Sequence, residues 1–168
     1  MQLQFIPVLM NDDISDLANI ADKVWHEYFP VILSDEQIDY MVEKFQSKKA
    51  IKEQLDEGYE YYFLKLADIY IGYVGIHPER DTNKLFLSKI YILEPYRGKG
   101  YASQAFNFLE GLAFAYNLNS IYLTVNKHND GSIKVYEHRG FKKIDEQVTD
   151  IGNGFVMDDY VFSYDVNA

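Results

Sequence analysis

The chain contains no cysteine among its 168 residues. That absence excludes a disulfide framework, a cysteine-ligated metal centre and a cysteine nucleophile. Basic residues are also scarce, because 16 Lys and Arg stand against 26 Asp and Glu. The resulting net charge of −10 argues against nucleic acid or an anionic membrane surface as a partner.

Long apolar runs are missing as well. No stretch approaches the roughly 20 apolar residues that a membrane-spanning helix needs, so no membrane association is expected. Residues 1–5 carry no basic group ahead of an apolar core, so no signal peptide is expected. His77 and His128 are too isolated from other ligand-type residues to indicate a metal site, and no metal is expected. We therefore expect a single cytoplasmic domain over residues 1–168.

The negative charge is unevenly distributed along the chain. Residues 1–60 carry a net charge of −8 and residues 141–168 one of −4, whereas residues 61–140 carry +2. Acidic flanks suit a cationic substrate, and they suit a merely solvated, soluble surface equally well.

Periodicity in the first part of the chain predicts an edge strand followed by helices. Residues 2–9 alternate weakly, as an edge strand does. Residues 11–13 offer N-cap side chains for an amphipathic helix, which we expect to close over residues 25–30. Ser34 is expected to cap a second helix. A third, shorter amphipathic helix is expected over residues 47–55.

From Gly58 onward the period changes to that of extended chain. Three strands of an antiparallel meander are expected at residues 59–67, 69–77 and 84–93. The later elements are expected to be a helix at 101–116, a strand at 120–125, a helix at 132–139 and strands at 141–149 and 155–164. A helix between the strands at 84–93 and 120–125 implies that those two pair in parallel. The expected fold class is α/β, with a mixed, mostly antiparallel twisted sheet of about seven strands flanked by helices.

A basic, glycine-containing turn follows the third strand of the meander. Gly98 and Gly100 let the backbone approach a bulky ligand. The first amides of the next helix favour an anion, and Arg97 and Lys99 add positive charge there. This pattern predicts a diphosphate site. It is not a P-loop, because Lys99 is followed by Gly100, and Ser103 replaces the third glycine of a dinucleotide fingerprint.

Two motifs in this chain resemble those of the GNAT family of N-acetyltransferases. The first is Arg97-x-x-Gly100-x-Ala102, preceded by Ile92-Leu93-Glu94-Pro95, which is similar to the family's coenzyme A pyrophosphate loop. The second is Asn129-x-x-Ser132-Ile133-x-x-Tyr136-Glu137-x-x-Gly140-Phe141, similar to the family's second cofactor segment, with Ser132 where Ala is usual. The order of the predicted elements is also the family's. The resemblance covers residues 59–164 and implies a single-domain GNAT fold.

The resemblance implies direct acetyl transfer from acetyl-CoA to a primary amine. The pyrophosphate of acetyl-CoA would be held by the loop residues Arg97, Gly98, Lys99, Gly100, Tyr101, Ala102 and Ser103. Backbone groups of Ile90, Tyr91 and Ile92 would pair with the pantetheine arm and polarise the thioester carbonyl. Asn129 would bind the pantetheine, cap the following helix or do both, with Ser132 beside it. Tyr136 would protonate the leaving thiolate.

The sequence specifies the acceptor amine less precisely than it specifies the acetyl donor. The motif spacing and residues 154–160 resemble the polyamine and diamine acetyltransferase subgroup, which implies a polyamine or another small cationic amine. A protein or peptide amine is an alternative acceptor, and a non-catalytic acyl-CoA sensor is an alternative function. Contacts with the acceptor are expected from His26, Glu27 and Tyr28, in the connection after the first helix, and from Asp158 in the final strand.

The general base is not assigned by the sequence. Ser88 occupies a position at which the resembled family often has an acidic residue, and that residue is a candidate general base there. His26, Glu27 and Asp158 are candidates by region only, and deprotonation through ordered water is an alternative. The aromatic final strand is compatible with a homodimer, which the sequence leaves open.

Overall fold

The computed structural model describes residues 2–166, and in them the strands form one mixed sheet. The seven strands are β1 (Gln4–Pro7), β2 (Glu60–Leu66), β3 (Ile69–Glu79), β4 (Lys84–Ile92), β5 (Ser120–Asn126), β6 (Lys142–Gly152) and β7 (Phe155–Asp165). Their order across the sheet is β1-β2-β3-β4-β5-β7-β6. The sheet confirms the predicted fold class.

Five α-helices accompany the strands within residues 2–166. They are α1 (Asn11–Tyr28), α2 (Asp35–Met41), α3 (Lys48–Asp56), α4 (Tyr101–Ala115) and α5 (Asp130–Arg139). A π-helical segment, Val42–Gln46, follows α2, and a 3-10 turn, Glu94–Tyr96, follows β4. No helix within these residues is long and apolar enough to cross a bilayer.

The chain divides into two compact units. One contains the residues up to His77 together with Lys89–Leu109, and the other contains Pro78–Ser88 and the residues from Glu110 onward. The expectation of a single domain over residues 1–168 stays a prediction.

The first unit holds an antiparallel strand set covered by helices. β2 pairs with β1 on one side and with β3 on the other, and Tyr61 lies opposite Gly75. Apolar side chains spaced along α1 pack against this face because a helix places every third or fourth residue on one side. The core cluster there consists of Val8, Ile14, Leu17, Ala21, Ile51, Tyr61, Phe63 and Tyr73.

The second unit is built around β5 and the final hairpin. The start of β4 pairs in parallel with β5, where Lys84 lies opposite Ser120, as predicted. β5 pairs antiparallel with β7, and β7 pairs antiparallel with β6. β6 is solvent-exposed from Lys142 through Asp150 at the edge of the sheet. A homodimer through the aromatic final strand, which the sequence leaves open, stays a hypothesis.

Two details of the N-terminal helices differ from the sequence prediction. The N-cap of α1 is Met10 rather than a residue of 11–13, and Asp13 instead accepts a hydrogen bond from the Met10 amide at 3.1 Å. The helix also continues through Tyr28. His26, Glu27 and Tyr28 therefore lie on its last turn, and the expectation that they form a connection is wrong. Ser34 does cap α2, accepting a bond from the Gln37 amide at 3.2 Å.

Candidate active site

The predicted diphosphate loop is exposed and leads directly into α4. Gly98 and Gly100 adopt φ angles of +73° and +85°, a left-handed conformation that other residues rarely adopt. No atom lies within 4 Å of the position that a Cβ would take at either glycine, so the space above the loop is open. The first helical bond runs from the Gln104 amide to the Gly100 carbonyl at 3.3 Å. The amides of the preceding turn have no intrahelical carbonyl to bond, which suits them to an anion.

Arg97 fixes this loop to the end of β4. Its Nε donates to the Ile92 carbonyl at 2.7 Å, and its guanidinium lies 4.8 Å from the ring centre of Tyr28. One terminal nitrogen, Nη2, is buried without a hydrogen-bond partner within the part of the chain described. The side chain therefore holds the loop through its Nε, and its Nη2 remains able to donate a hydrogen bond. Lys99 is exposed beside it.

An aromatic cluster joins the last turn of α1 to β4. The Tyr91 ring lies 5.7 Å from Trp25, 6.0 Å from Phe29 and 6.5 Å from Tyr28, measured between ring centres. The structure thus brings together Tyr28, Tyr91 and Arg97, three of the residues that the sequence predicted for the site. Ile90 and Ile92 are half-buried on the same strand.

His26 and Glu27 are placed differently from Tyr28. The His26 ring bonds to the Asp22 carbonyl at 2.8 Å and to Asp39 Oδ1 at 2.6 Å, which ties α1 to α2. The hydrogen bond to Asp39 raises the pKa of His26 above its usual value. Glu27 is exposed.

A buried polar group on β4 was missed by the sequence analysis. Lys89 is 8% exposed, and its Nζ lies 2.6 Å from the Tyr61 hydroxyl and 3.2 Å from Gln54 Oε1. Tyr61 also donates to Gln54. Burial lowers the pKa of Lys89 to about 7. The alternation of Leu85, Leu87 and Lys89 was the available signal, since residues two apart on a strand share a face.

Gly75 makes this contact across β3 possible. A Cβ at Gly75 would lie 2.7 Å from a ring carbon of Tyr61, so only glycine leaves room for that ring to cross the strand. The Tyr61 hydroxyl can then reach Lys89 on the far side of β3.

In the second unit, α5 carries the second predicted cofactor segment. Asn129 is its N-cap and accepts a hydrogen bond from the Ser132 amide at 3.3 Å, so its predicted capping role is confirmed. The Tyr136 ring lies 5.9 Å from Phe141, which in turn stacks on Tyr164 at 5.3 Å. The helix ends at Gly140, whose φ is +108°.

The two adjacent aspartates of β7 have opposite surroundings. Asp158 forms an ion pair with Lys127 at 2.9 Å, and Lys127 also reaches Glu146 at 3.1 Å. Asp159 is only 3% exposed. Its burial, and secondly the charge of Asp158, raise the pKa of Asp159 to about 6. The sequence analysis named Asp158 and missed Asp159.

Within residues 2–166 no group of three or more His, Cys, Asp or Glu side chains is arranged to hold a metal ion.

Comparison with known proteins gives consistent matches over most of the chain. Residues 17–141 match the family described as "Acetyltransferase (GNAT) family". The uncharacterized N-acetyltransferase YycN of Bacillus subtilis is 38% identical over 77 residues, which cover 45% of this chain and 49% of that protein. The spermine/spermidine N(1)-acetyltransferase of the same organism is 26% identical over 122 residues, covering 66% of this chain and 76% of that protein.

A solved structure supports the fold over nearly the whole chain. The crystal structure of PaiA N-acetyltransferase from Thermoplasma acidophilum, in complex with coenzyme A, is similar with a TM-score of 0.79 at 19% sequence identity. The match covers 98% of this chain and 99% of that chain. At this level of identity the likeness concerns the fold alone.

Proposed function

The chain belongs to the acetyltransferase (GNAT) family, and we propose that this acyltransferase moves an acetyl group from acetyl-CoA to the primary amine of a polyamine or another small cationic amine. The amine attacks the thioester directly, without a covalent intermediate on the protein.

The observation that carries this proposal is the loop that leads into α4. Two left-handed glycines, Gly98 and Gly100, expose backbone amides at a helix N-terminus, where a diphosphate is stabilised by hydrogen bonds and by the helix dipole. The open space above both glycines fits the pyrophosphate of coenzyme A. Arg97 ties the loop to the Ile92 carbonyl and has an unused donor, Nη2. Lys99, Tyr101, Ala102 and Ser103 complete the proposed pyrophosphate site.

The remaining cofactor contacts are proposed for the end of β4 and for the start of α5. Amides and carbonyls of Ile90, Tyr91 and Ile92 bind the pantetheine arm, and an amide there polarises the thioester carbonyl. In the second unit, Asn129 and Ser132 bind the cofactor at the start of α5. Tyr136 on the same helix donates a proton to the leaving thiolate, which makes the thiol a better leaving group.

The acidity of the chain supports a cationic acceptor. The net charge of −10 favours the approach of a polycation. By its name, one relative acts on spermine and spermidine. Contacts with the acceptor are proposed for His26, Glu27 and Tyr28 at the end of α1 and for Asp158. A peptide amine is the second candidate acceptor, since the same acidic surface suits a basic peptide.

An acceptor screen tests the proposal. Purified protein is incubated with acetyl-CoA and with spermidine, other polyamines, aminoglycosides, amino acids or basic peptides, and release of the coenzyme A thiol is measured. We expect turnover with polyamines. Turnover confined to peptides would replace the small-amine proposal by the peptide one. Binding of coenzyme A without turnover on any amine would favour a non-catalytic acyl-CoA sensor.

A further inference from the structure

The Arg97 side chain is held between the end of β4 and the end of α1. Its Nε donates to the Ile92 carbonyl at 2.7 Å, and its Cζ lies 4.8 Å from the ring centre of Tyr28. Both of these partners are uncharged, and both Arg97 and Tyr28 are half-buried. A cation over an aromatic face is attracted by the ring quadrupole, more strongly where water is partly excluded. The Tyr28 ring therefore stabilises the guanidinium in this position.

Tyr28 is in turn fixed by the packing of the last turn of α1. Its ring centre lies 5.2 Å from that of Phe29 and 6.5 Å from that of Tyr91. Phe29 and Trp25 are both buried, and their ring centres lie 4.5 Å apart. Because close-packed side chains have few alternative positions, the Tyr28 ring faces Arg97 from a rigid support.

The loop that follows Arg97 is exposed and rich in glycine. Gly98, Lys99 and Gly100 all face solvent, and no atom lies within 4 Å of a Cβ built at either glycine. Glycine allows many backbone conformations, so a loop of this kind loses conformational entropy when it closes on a ligand. A fixed Arg97 at its start removes part of that cost before binding, which raises affinity.

We propose that Tyr28 is a positioning residue for the acetyl-CoA loop. Its ring holds the Arg97 guanidinium at the end of β4, and Arg97 fixes the turn whose amides bind the pyrophosphate. This inference rests on the proposed cofactor site. Tyr28, Arg97 and Ile92 all belong to the same compact unit. The role uses the ring of Tyr28, so it is compatible with the acceptor contact proposed for that residue.

The test compares Tyr28→Phe with Tyr28→Leu by calorimetric titration with coenzyme A. Phenylalanine keeps the aromatic face, so the Kd should stay within about twofold of the wild-type value. Leucine removes that face, and the Kd should rise about tenfold, which is within the range for loss of one partly desolvated cation–π contact. The KM for acetyl-CoA should rise in parallel.

Phe29→Leu separates this role from general packing of the aromatic cluster. The Phe29 ring contacts the rings of Trp25, Tyr28 and Tyr91 rather than Arg97. Because Phe29 is the more buried residue, Phe29→Leu should lower the melting temperature at least as much as Tyr28→Leu does. Its Kd for coenzyme A should nevertheless stay within about twofold of the wild-type value, since the guanidinium keeps its aromatic face.

A double-mutant cycle shows whether Tyr28 acts through Arg97. In an Arg97→Ala background the guanidinium is absent, so Tyr28→Leu should cause no further change in the Kd for coenzyme A. NMR of the unliganded protein gives a readout that does not depend on binding. The Arg97 Nε–H, which donates to the Ile92 carbonyl, should exchange slowly in the wild type and Tyr28→Phe and rapidly in Tyr28→Leu.

Four results would overturn the inference. An unchanged Kd in Tyr28→Leu would remove the role of Tyr28 and leave the pyrophosphate site intact. A Tyr28→Phe variant as weak as Tyr28→Leu would assign the effect to the hydroxyl. A tenfold effect of Tyr28→Leu that persists in the Arg97→Ala background would show that the ring acts elsewhere. A wild type that does not bind coenzyme A would remove both the cofactor site and the role of Tyr28.

Failure of the proposed catalysis is distinguishable from each of these results, because binding is measured without turnover. A wild type that binds coenzyme A, and whose Tyr28→Leu variant binds it tenfold more weakly, supports the role of Tyr28 even if no amine is acetylated.

Discussion

At the scale of single residues, the hydroxyl of Tyr136 is the group with the most specific proposed role. Tyr136→Phe keeps the ring that packs 5.9 Å from Phe141 and removes only the proton donor. We expect kcat to fall by about 100-fold, because the thiolate would leave unprotonated. The affinity for coenzyme A, measured by calorimetry, should stay the same. Single-turnover thiol release at saturating acetyl-CoA measures the chemical step.

Tyr164→Phe is the matched control for that variant. Tyr164 stacks on the same Phe141, so its change also removes a tyrosine hydroxyl beside that ring. It should leave the rate of thiol release unchanged. Equal rates for wild type, Tyr136→Phe and Tyr164→Phe would contradict the proton-donor role.

Lys89 is expected to make stability depend on pH. Its pKa is about 7 in the folded protein, because of burial, and 10.5 when the group is unperturbed. Between these values the unfolded chain binds more protons than the folded one, so the free energy of unfolding rises with pH. Lys89→Met should abolish this rise. Compared with the wild type, its free energy of unfolding should be highest below pH 7, where the wild type buries a charged lysine.

Urea denaturation at pH 6, 7, 8 and 9 measures this difference between wild type and Lys89→Met. Lys65→Met is a suitable control, since that lysine lies on β2 and is only half-buried. An identical pH dependence of wild type and Lys89→Met would show that the lysine is not destabilised in its charged form.

At the scale of elements, the turn between β4 and α4 depends on two glycines. Gly98→Ala and Gly100→Ala introduce no clash, because nothing lies within 4 Å of either new Cβ. They do force alanine into φ angles of +73° and +85°, at a cost of about 1–2 kcal/mol each. If the loop relaxes to avoid this strain, its amides no longer converge, and the Kd for coenzyme A should rise by about tenfold or more.

Gly111→Ala in α4 is the control for the glycine variants. Gly111 also has open space around it, but it lies within a regular helix. Alanine there should leave coenzyme A affinity unchanged and stabilise the protein by up to about 1 kcal/mol. A loop variant that binds coenzyme A normally would contradict the pyrophosphate assignment.

The elements differ in how far the sequence could predict them. The strands of the meander were predicted to within two residues, because apolar alternation and turn residues define them locally. The end of α1 lies within the predicted range of residues 25–30, but His26, Glu27 and Tyr28 were assigned to a connection rather than to the helix, because no residue before Pro30 marks where the helix stops. Its last turn is held by tertiary contacts, including the bond from His26 to Asp39. The π-helical turn at Val42–Gln46 has no local signal either.

Residues of the candidate site were likewise predictable only where a local sequence pattern defines them. The pyrophosphate loop and Tyr136 were predicted because their residues follow one another at fixed spacing. Asp159 was missed because two adjacent aspartates look alike in the sequence. Only the pairing of β7 with β5 decides which one is buried, and a shift of one residue would exchange them.

At the scale of the whole molecule, the charge predicts how salt affects the acceptor. The acidic residues are concentrated in residues 1–60 and 141–168, and the net charge is −10. A polyamine is attracted by this field, and ions screen the attraction over about 10 Å at 0.1 M salt. We therefore expect kcat/KM for spermidine to fall steeply between 20 and 300 mM NaCl.

A matched acceptor with fewer charges separates this field effect from other effects of salt. Spermidine carries three amino groups and 1-aminobutane carries one, so screening should reduce kcat/KM several-fold more for spermidine. The KM for acetyl-CoA should fall or stay constant over the same range, because salt also screens its repulsion from an acidic protein. An equal salt dependence for both amines would show that the acidic surface does not act on the acceptor. The preference for polycations would then have to come from local contacts alone.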